Sequence, residues 1–322
     1  HLLTGTAFMT LGVLLLAIPL GTSLALAVMK TNMFAANVVA AGLASCLLVP
    51  LYVQAAAWDA GFGMQGWYTL NQDPRLLNEP VLAGWRAAIW IHTMAAIPWI
   101  FLVVATGLRI VEKELEEDAI LYTSPLGVLF GVTLVRSKTF LIAAAVWIAA
   151  ICFREISVTD LYQVRTFAEE IYTQATLGAV SIEGNWWTTA SPSTSVASES
   201  SSPTNEEAGI SRIGIWLGTV LAIAIVLPLL AIMQKLAARR MESSLSSPWI
   251  IQLKQYRAIV SVIGLSGLLL VAAVPILNLV YKSGVEVTGT QAGRIRQWSA
   301  SKAAHLIAAA PWAHRREFAQ SA

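Results

Sequence analysis

Long apolar stretches separated by short polar segments run along most of the chain. A helix needs about 20 mostly apolar residues to cross the hydrocarbon core of a bilayer. The apolar stretches that meet or approach this length cover residues 7–29, 33–58, 83–108, 139–153, 210–236 and 258–281. The pattern therefore predicts an all-α polytopic membrane protein with about six transmembrane helices.

The polar segments between the predicted spans differ in character. Residues 59–82 contain several glycines and prolines, which is typical of a surface loop. Residues 154–174 mix charged and apolar side chains, which favours a helix that lies at, or dips into, the membrane face. Residues 188–207 are Ser, Thr, Pro and acidic residues without an apolar period, so we predict a flexible linker there.

Composition agrees with the membrane interpretation and excludes several function classes. Only 12% of the 322 residues are charged, whereas soluble domains carry about 25%. A net charge of +2 is too small to favour nucleic-acid binding. Cys46 and Cys152 form neither a disulfide framework nor a metal motif, and the four histidines lack ligand spacing. We therefore predict a lipid-embedded protein with no metal site and no cofactor.

Residues 111–126 form a strongly charged island in this apolar chain. Glu, Lys, Leu and Ala favour a helix over most of it. Pro125 disfavours a helix at the preceding residue but suits the first position of a new helix, with Ser124 as its N-cap. We predict an exposed helix, a sharp turn and a second short helix over 126–134. The plainer alternative is a solvated charged linker.

The distribution of Lys and Arg predicts the orientation of the chain. The loop between the fifth and sixth predicted spans is rich in both, and so is the island loop, 109–138. Loop 59–82 contains only Arg75, so we place the island in the cytoplasm. The basic tail, 282–322, would then lie outside, against the rule. A chain that begins outside, at His1 rather than Met, is expected to be part of a longer one.

The island resembles the EAA loop, the cytoplasmic coupling loop of binding-protein-dependent ABC transporter permeases. That loop reads Glu-Ala-Ala, three residues, Gly, nine residues, Ile, any residue, Leu, Pro. Glu117-Asp118-Ala119 matches its start, and Val132-Thr133-Leu134 stands one residue early for Ile-x-Leu. The departures are Asp118 for Ala, Thr123 or Ser124 for Gly, and Val135 for Pro.

Segments outside the island look like the iron(III) subfamily of these permeases. They are residues 18–22, 48–53, 58–67 and 165–172. The resemblance implies an ABC importer permease (MetI-like) fold, often built of two fused six-helix copies. Residues 1–240 would be a first copy that lacks its first helix. Residues 241–322 would begin the second copy with one transmembrane helix and a periplasmic segment.

The resemblance also implies partners and a location. In this family the coupling helix docks on a cytoplasmic ABC ATPase dimer, and a periplasmic substrate-binding protein delivers the cargo. The chain would lie in a bacterial inner membrane. Because it contains no Walker A glycine–lysine stretch, the ATPase would be a separate chain and no catalytic residue is expected here.

The predicted coupling residues fall into three groups. An apolar stripe at helical spacing would enter a groove on the ATPase. Three acidic residues would meet basic residues around that groove. Two residues shape the turn. The apolar stripe consists of Leu115, Ala119, Tyr122 and Leu126. The acidic residues are Glu116, Glu117 and Asp118, and the turn residues are Ser124 and Pro125.

Four polar residues are candidates for a translocation path. His92 lies within the third predicted span, and ionisable residues inside a membrane are functional candidates by default. The alternative is a neutral, hydrogen-bonded packing histidine. Arg154 and Glu155 end the fourth span, where they could line the outer mouth of a path or anchor the helix at the interface. Asp160 follows as an oxygen donor.

Two classes of function stay open at this point. The first is the membrane subunit of an ABC importer, with iron(III) as the cargo that the resemblance favours over thiamine, spermidine or sulfate. The second is an ion-coupled secondary transporter or another polytopic membrane protein, including a membrane-embedded enzyme, although the sequence shows no nucleophile–base or metal constellation for an enzyme. Secondary transporters usually contain broken helices and charged residues near the membrane midplane. Apart from His92 the predicted spans are nearly free of charge, which disfavours the second class.

Overall fold

The structure is a computed structural model that describes residues 2–70, 80–173, 249–290, 293–313 and 315. The predicted fifth span, 210–236, and the predicted linker, 188–207, lie outside these residues. Within the described part, four helices are long and apolar enough to cross a membrane. They are Leu2–Lys30, Gly84–Arg109, Pro125–Arg154 and Lys254–Gly284. The chain is thus a mostly helical, membrane-embedded protein, as its apolar pattern predicts.

Helices α1 (Leu2–Lys30) and α5 (Gly84–Arg109) form the centre of the bundle and run in the same direction. Small residues allow their close approach: a Cβ atom on Gly12 would lie 3.0 Å from Ile89, and one on Gly21 would lie 2.7 Å from Ile100. Most of α5 is buried, which explains why it carries almost no polar face. The predicted third span, 83–108, is confirmed by α5.

The predicted second span is not one continuous helix. Helix α2 (Ala36–Cys46) and helix α3 (Leu51–Phe62) meet at a bend of 104°, and a short helix α4 (Trp67–Leu70) continues from α3. The prediction of a single helix over 33–58 is wrong because Pro50 has no N–H to donate and disfavours helical backbone at Val49. The chain therefore crosses the bundle here as a broken pair.

The fourth membrane helix begins earlier than predicted, at Pro125 instead of residue 139. Helix α7 (Pro125–Val128), a π-helical turn (Leu129–Thr133) and helix α8 (Leu134–Arg154) form one continuous apolar helix. The separate short helix predicted over 126–134 does not exist, because nothing after Pro125 interrupts the hydrogen-bond ladder. The charged residues Arg136 and Lys138 interrupt the apolar pattern, so the sequence alone did not predict that the helix extends back to Pro125.

The predicted sixth span is confirmed and extended. A 3₁₀ turn (Lys254–Tyr256) leads into helix α10 (Arg257–Leu268), and a π-helical turn (Leu269–Ala273) joins it to helix α11 (Val274–Gly284). Asn278 of α11 contacts Gly61 of α3 and accepts a hydrogen bond of 3.2 Å from Trp67 Nε1. The helix therefore packs against the broken pair.

Two regions of the described chain lie outside these long helices. Strands β1 (Val285–Thr290) and β2 (Gly293–Trp298) form an antiparallel hairpin, and helix α12 (Ala300–Ala313) follows. The all-α prediction is wrong for this hairpin, whose alternating valines favour an extended chain. Helix α9 (Ser157–Leu161) and a helical segment over 167–173 cap the bundle, so the single helix predicted over 154–174 is wrong: it is interrupted where Gln163 has a positive φ of 53°.

Long-range contacts identify which segments share an end of the bundle. The C-terminus of α1 contacts the charged island through Lys30, and this is called the island end. At the opposite end, the backbone N–H of Phe167 donates to Thr6 Oγ1 over 2.9 Å, and Tyr162 contacts Asp59.

Candidate functional site

The island folds as the predicted helix and turn. Helix α6 (Lys113–Ile120) is followed by a turn, and α7 begins at Pro125. The Ser124 side chain accepts a hydrogen bond of 3.2 Å from the N–H of Gly127, so the predicted N-cap is confirmed. Thr123 N–H and Tyr122 N–H both donate to the carbonyl of Ala119, which closes the end of α6.

Glu116 lies in the protein interior rather than on the island surface. Its Oε2 is 2.7 Å from Lys30 Nζ, and its Oε1 accepts a hydrogen bond of 2.7 Å from Thr133 Oγ1. Glu116 and Thr133 are fully buried, and Lys30 is 1% exposed. The prediction that Glu116 meets basic residues of a partner is therefore wrong in this structure: Lys30 of the same chain neutralises it.

The other predicted coupling residues differ in exposure. Glu117 and Asp118 are exposed, and Lys113 Nζ lies 3.1 Å from Glu117 Oε1 along the same helix. Leu115 and Ala119 are half-buried, so only part of the predicted stripe is accessible. Tyr122 is 90% exposed and Leu126 is 65% exposed.

Two further apolar side chains extend this surface. Leu121 is 75% exposed and Phe130 is 63% exposed. We call these two exposed side chains, together with those of Tyr122 and Leu126, the island patch. Phe130 could have been found from the sequence, because it follows Leu126 by one helical turn. Leu121 could not, because it lies in the turn rather than in the helical period.

His92 and Glu155 lie together in the interior, away from the island. His92 Nε2 is 3.6 Å from Glu155 Oε2, and the side chains are 2% and 12% exposed. His92 Nδ1–H donates to the carbonyl of Ala88 over 2.8 Å, which leaves Nε2 without a hydrogen-bond partner. A carboxylate facing the Nε2 lone pair is attractive only when a proton is present between them.

Glu155 also organises the start of α9. Its two carboxylate oxygens accept hydrogen bonds of 3.0 Å from Ser157 N–H and 3.1 Å from Val158 N–H. Burial by itself would raise the pKa of Glu155, but the neighbouring His92 and the two N–H donors outweigh it, and the pKa lies below its usual value. Glu155 is thus held in its charged form.

The other two path candidates do not join this pair. Arg154 and Asp160 are exposed. Tyr162 approaches Asp59 instead, with its hydroxyl 3.4 Å from Oδ1. Burial, together with this carboxylate, raises the pKa of Tyr162 above its usual value. Of the four predicted path residues, only His92 and Glu155 are brought together.

A cleft of about 220 Å³ lies beside His92. The bend between α2 and α3 forms one wall, and α5 and α8 form the others. Its lining is mostly apolar, with His92 and Gln54 as the polar exceptions beside two thiols. The lining residues are Cys46, Leu47, Val49, Pro50, Leu51, Gln54, His92, Ala95, Ala96, Trp99, Ile148, Ile151 and Cys152. Among the described residues, no group of three His, Cys, Asp or Glu side chains is arranged to hold a metal ion.

Comparisons with known proteins do not assign a family. No protein-family model matches the chain, and no curated protein matches it. The functional interpretation therefore depends on the residues and their geometry.

Proposed function

We propose that the chain is a membrane subunit of an ATP-driven ABC importer, with a MetI-like permease fold in a bacterial inner membrane. The observation that supports this most is the island, which presents a helix and a turn at one end of an apolar bundle. The island patch exposes four large apolar side chains beside the acidic Glu117 and Asp118. Apolar side chains that are exposed next to acidic ones suit a protein-binding surface where the chain leaves the membrane, and Leu121 and Tyr122 lie outside the candidate spans.

The partner that fits this surface is a soluble ATPase dimer with an apolar groove bordered by basic residues. Tyr122 and Leu126 would fill the groove, and Glu117 and Asp118 would pair with the basic rim. The island faces one end of the bundle only, so movement of the docked subunit would act on the helices attached to the island.

The path through the membrane is proposed to pass the cleft beside His92 and Glu155, and a periplasmic binding protein would deliver the cargo at the opposite end. The cargo is proposed to be iron(III), because the sequence segments outside the island resemble iron(III) permeases. In this assignment residues 1–240 act as one permease copy and 241–322 begin a second.

Co-purification with a candidate ABC ATPase from the same genome tests this proposal. We expect the wild-type protein in detergent to retain the ATPase, and Glu117→Lys to lose it because the substitution places a cation against the basic rim. Ala119→Arg is expected to act in the same direction. Glu286→Lys, the same charge reversal at an exposed residue of strand β1 outside the island loop, is the control. Failure of the wild-type protein to retain any ABC ATPase would contradict the proposal.

A second candidate function is an ion-coupled secondary transporter. The observation that favours it is the bend of 104° between α2 and α3 beside the buried His92–Glu155 pair, because broken helices and buried ionisable groups mark the sites of such transporters. Uptake into proteoliposomes driven by a pH gradient without ATP would support this candidate, whereas uptake that requires the ATPase and ATP would exclude it.

A further inference from the structure

The island is attached to the bundle through a charged side chain. Glu116 is the buried residue of α6, a helix whose other side chains are exposed or half-buried. Its two oxygens bind different elements: Lys30 at the end of α1, and Thr133 in the π-helical turn before α8. A single carboxylate therefore holds α6 to two long helices at once.

Lys30 connects this attachment to a third helix. Its carbonyl accepts a hydrogen bond of 2.9 Å from Ile251 N–H, and Asn32 N–H donates to the carbonyl of Ile251 over 3.3 Å. Residues 31 and 251 thereby form a parallel β-bridge. This pairing joins the end of α1 to the segment that leads into α10.

Side chains reinforce the same junction. Asn32 Oδ1 accepts from Leu253 N–H over 3.0 Å, and Asn32 Nδ2 donates to Gln252 Oε1 over 2.7 Å. Ser261 Oγ accepts a hydrogen bond of 2.7 Å from Phe34 N–H, and the Arg257 guanidinium lies 3.8 Å from the centre of the Phe34 ring. The junction thus extends from the end of α1 to the first turns of α10, which lie more than 200 residues later in the chain.

We propose that Lys30 is a positioning residue that links the island to the bundle. Its side chain carries displacement of α6 to α1, and its backbone carries the same displacement to the segment before α10. A buried ion pair suits this role better than an apolar contact, because the Coulomb attraction and the hydrogen-bond directions fix both distance and angle. Under the proposed function, on which this inference rests, the link couples ATPase movement to both parts of the bundle.

Amide hydrogen exchange tests the link without any ATPase. In detergent, Glu116→Gln and Lys30→Met should each accelerate exchange at the Ile251 and Leu253 amides by tenfold or more. The matched control is Lys113→Met, which removes the half-buried partner of Glu117 on the same helix and should leave these amides unchanged. Unchanged exchange in both interior variants would overturn the link.

Proteoliposomes with the ATPase test its role in transport. We expect the Lys30→Met and Glu116→Gln proteins to bind the ATPase within twofold of wild type, while cargo taken up per ATP hydrolysed falls at least tenfold. If a single variant does not fold, Lys30→Met with Glu116→Met removes both charges and keeps the interior neutral. Wild-type uptake per ATP in that double variant would overturn the proposal.

The two proposals fail in different ways. If no ATPase binds even the wild-type protein, the proposed function fails, and Lys30 loses its transport role with it. The exchange experiment still decides whether the physical link exists. If the ATPase binds and uptake per ATP is normal in the folded variants, the proposed function stands and the role of Lys30 is wrong.

Discussion

Two buried acid–base pairs lie at opposite parts of the bundle and differ in how completely they are satisfied. At the island, Lys30 Nζ and Glu116 Oε2 are 2.7 Å apart, and the second carboxylate oxygen is bound by Thr133. In the interior, His92 and Glu155 are 3.6 Å apart, and His92 Nε2 has no hydrogen bond. Both carboxylate oxygens of the island pair are bonded, and we call this pair closed. The imidazole of the interior pair has a nitrogen without a hydrogen bond, and we call this pair open.

The difference indicates different uses for the two pairs. A buried ion pair whose carboxylate is bonded at both oxygens resists change, because removing either partner leaves a charge without solvent or counter-ion. The His92 imidazole borders a cleft, and its Nε2 makes no hydrogen bond, so a ligand could approach this nitrogen without breaking a hydrogen bond of the fold. The island pair therefore suits positioning, and the His92–Glu155 pair suits a site that changes state.

The largest expected effect comes from opening the closed pair. Glu116→Ala should lower the free energy of unfolding by about 3–5 kcal/mol, because Lys30 would remain buried and unpaired. Adding Lys30→Met should recover most of that loss. Equilibrium unfolding in mixed micelles measures both. A loss below about 1 kcal/mol in the single variant would show that the island pair is no more closed than the other.

The next effect tests packing near the island end. A Cβ atom on Gly107 of α5 would lie 2.6 Å from the Phe140 ring of α8, so Gly107→Ala should cost about 1–3 kcal/mol in unfolding free energy. Gly131→Ala is the matched control, because the added methyl group would meet no side chain or other segment within 4 Å apart from its chain neighbours and its own helix backbone. Equal stability of the two variants would contradict tight packing between α5 and α8.

A smaller effect concerns the open pair and its pH dependence. Because the pKa of Glu155 is lowered in the folded protein, its contribution to stability is present above the unfolded pKa and is lost as pH falls through the folded value. Glu155→Gln should cost about 1 kcal/mol at neutral pH. Thermal unfolding followed stepwise from pH 7 to well below 4.5, the ordinary carboxyl pKa, should show wild type losing this advantage progressively in acid. A constant difference between the two proteins would contradict the assignment.

The smallest effect is local to the turn of the island. Ser124→Ala should remove about 1 kcal/mol from the start of α7, because the Gly127 N–H loses its acceptor. Hydrogen exchange at Gly127 should accelerate about fivefold, a change that corresponds to this free energy. Ser124→Asp keeps a capping oxygen and should exchange like wild type. Equal rates in all three proteins would show that the cap is not formed.

Local features of the island were predictable because they depend on neighbours in sequence. Ser124 and Pro125 set the start of α7 through short-range hydrogen bonding and a fixed φ angle. The helix over Lys113–Ile120 follows from side-chain preference. The burial of Glu116 was not predictable, because its partner Lys30 is 86 residues away and becomes adjacent only when α1 packs beside the island.

The sequence by itself determined where the long apolar helices α1 and α5 lie and that each is long enough to cross a membrane. It also determined the helix–turn form of the island. Bilayer thickness and local backbone preferences act residue by residue, so they can be read along the chain. Only the tertiary structure decided which charges are buried together, where the second span bends into the cleft, and how Lys30 meets Ile251. These depend on close approach between distant segments, and hydropathy carries no information about the distance between them.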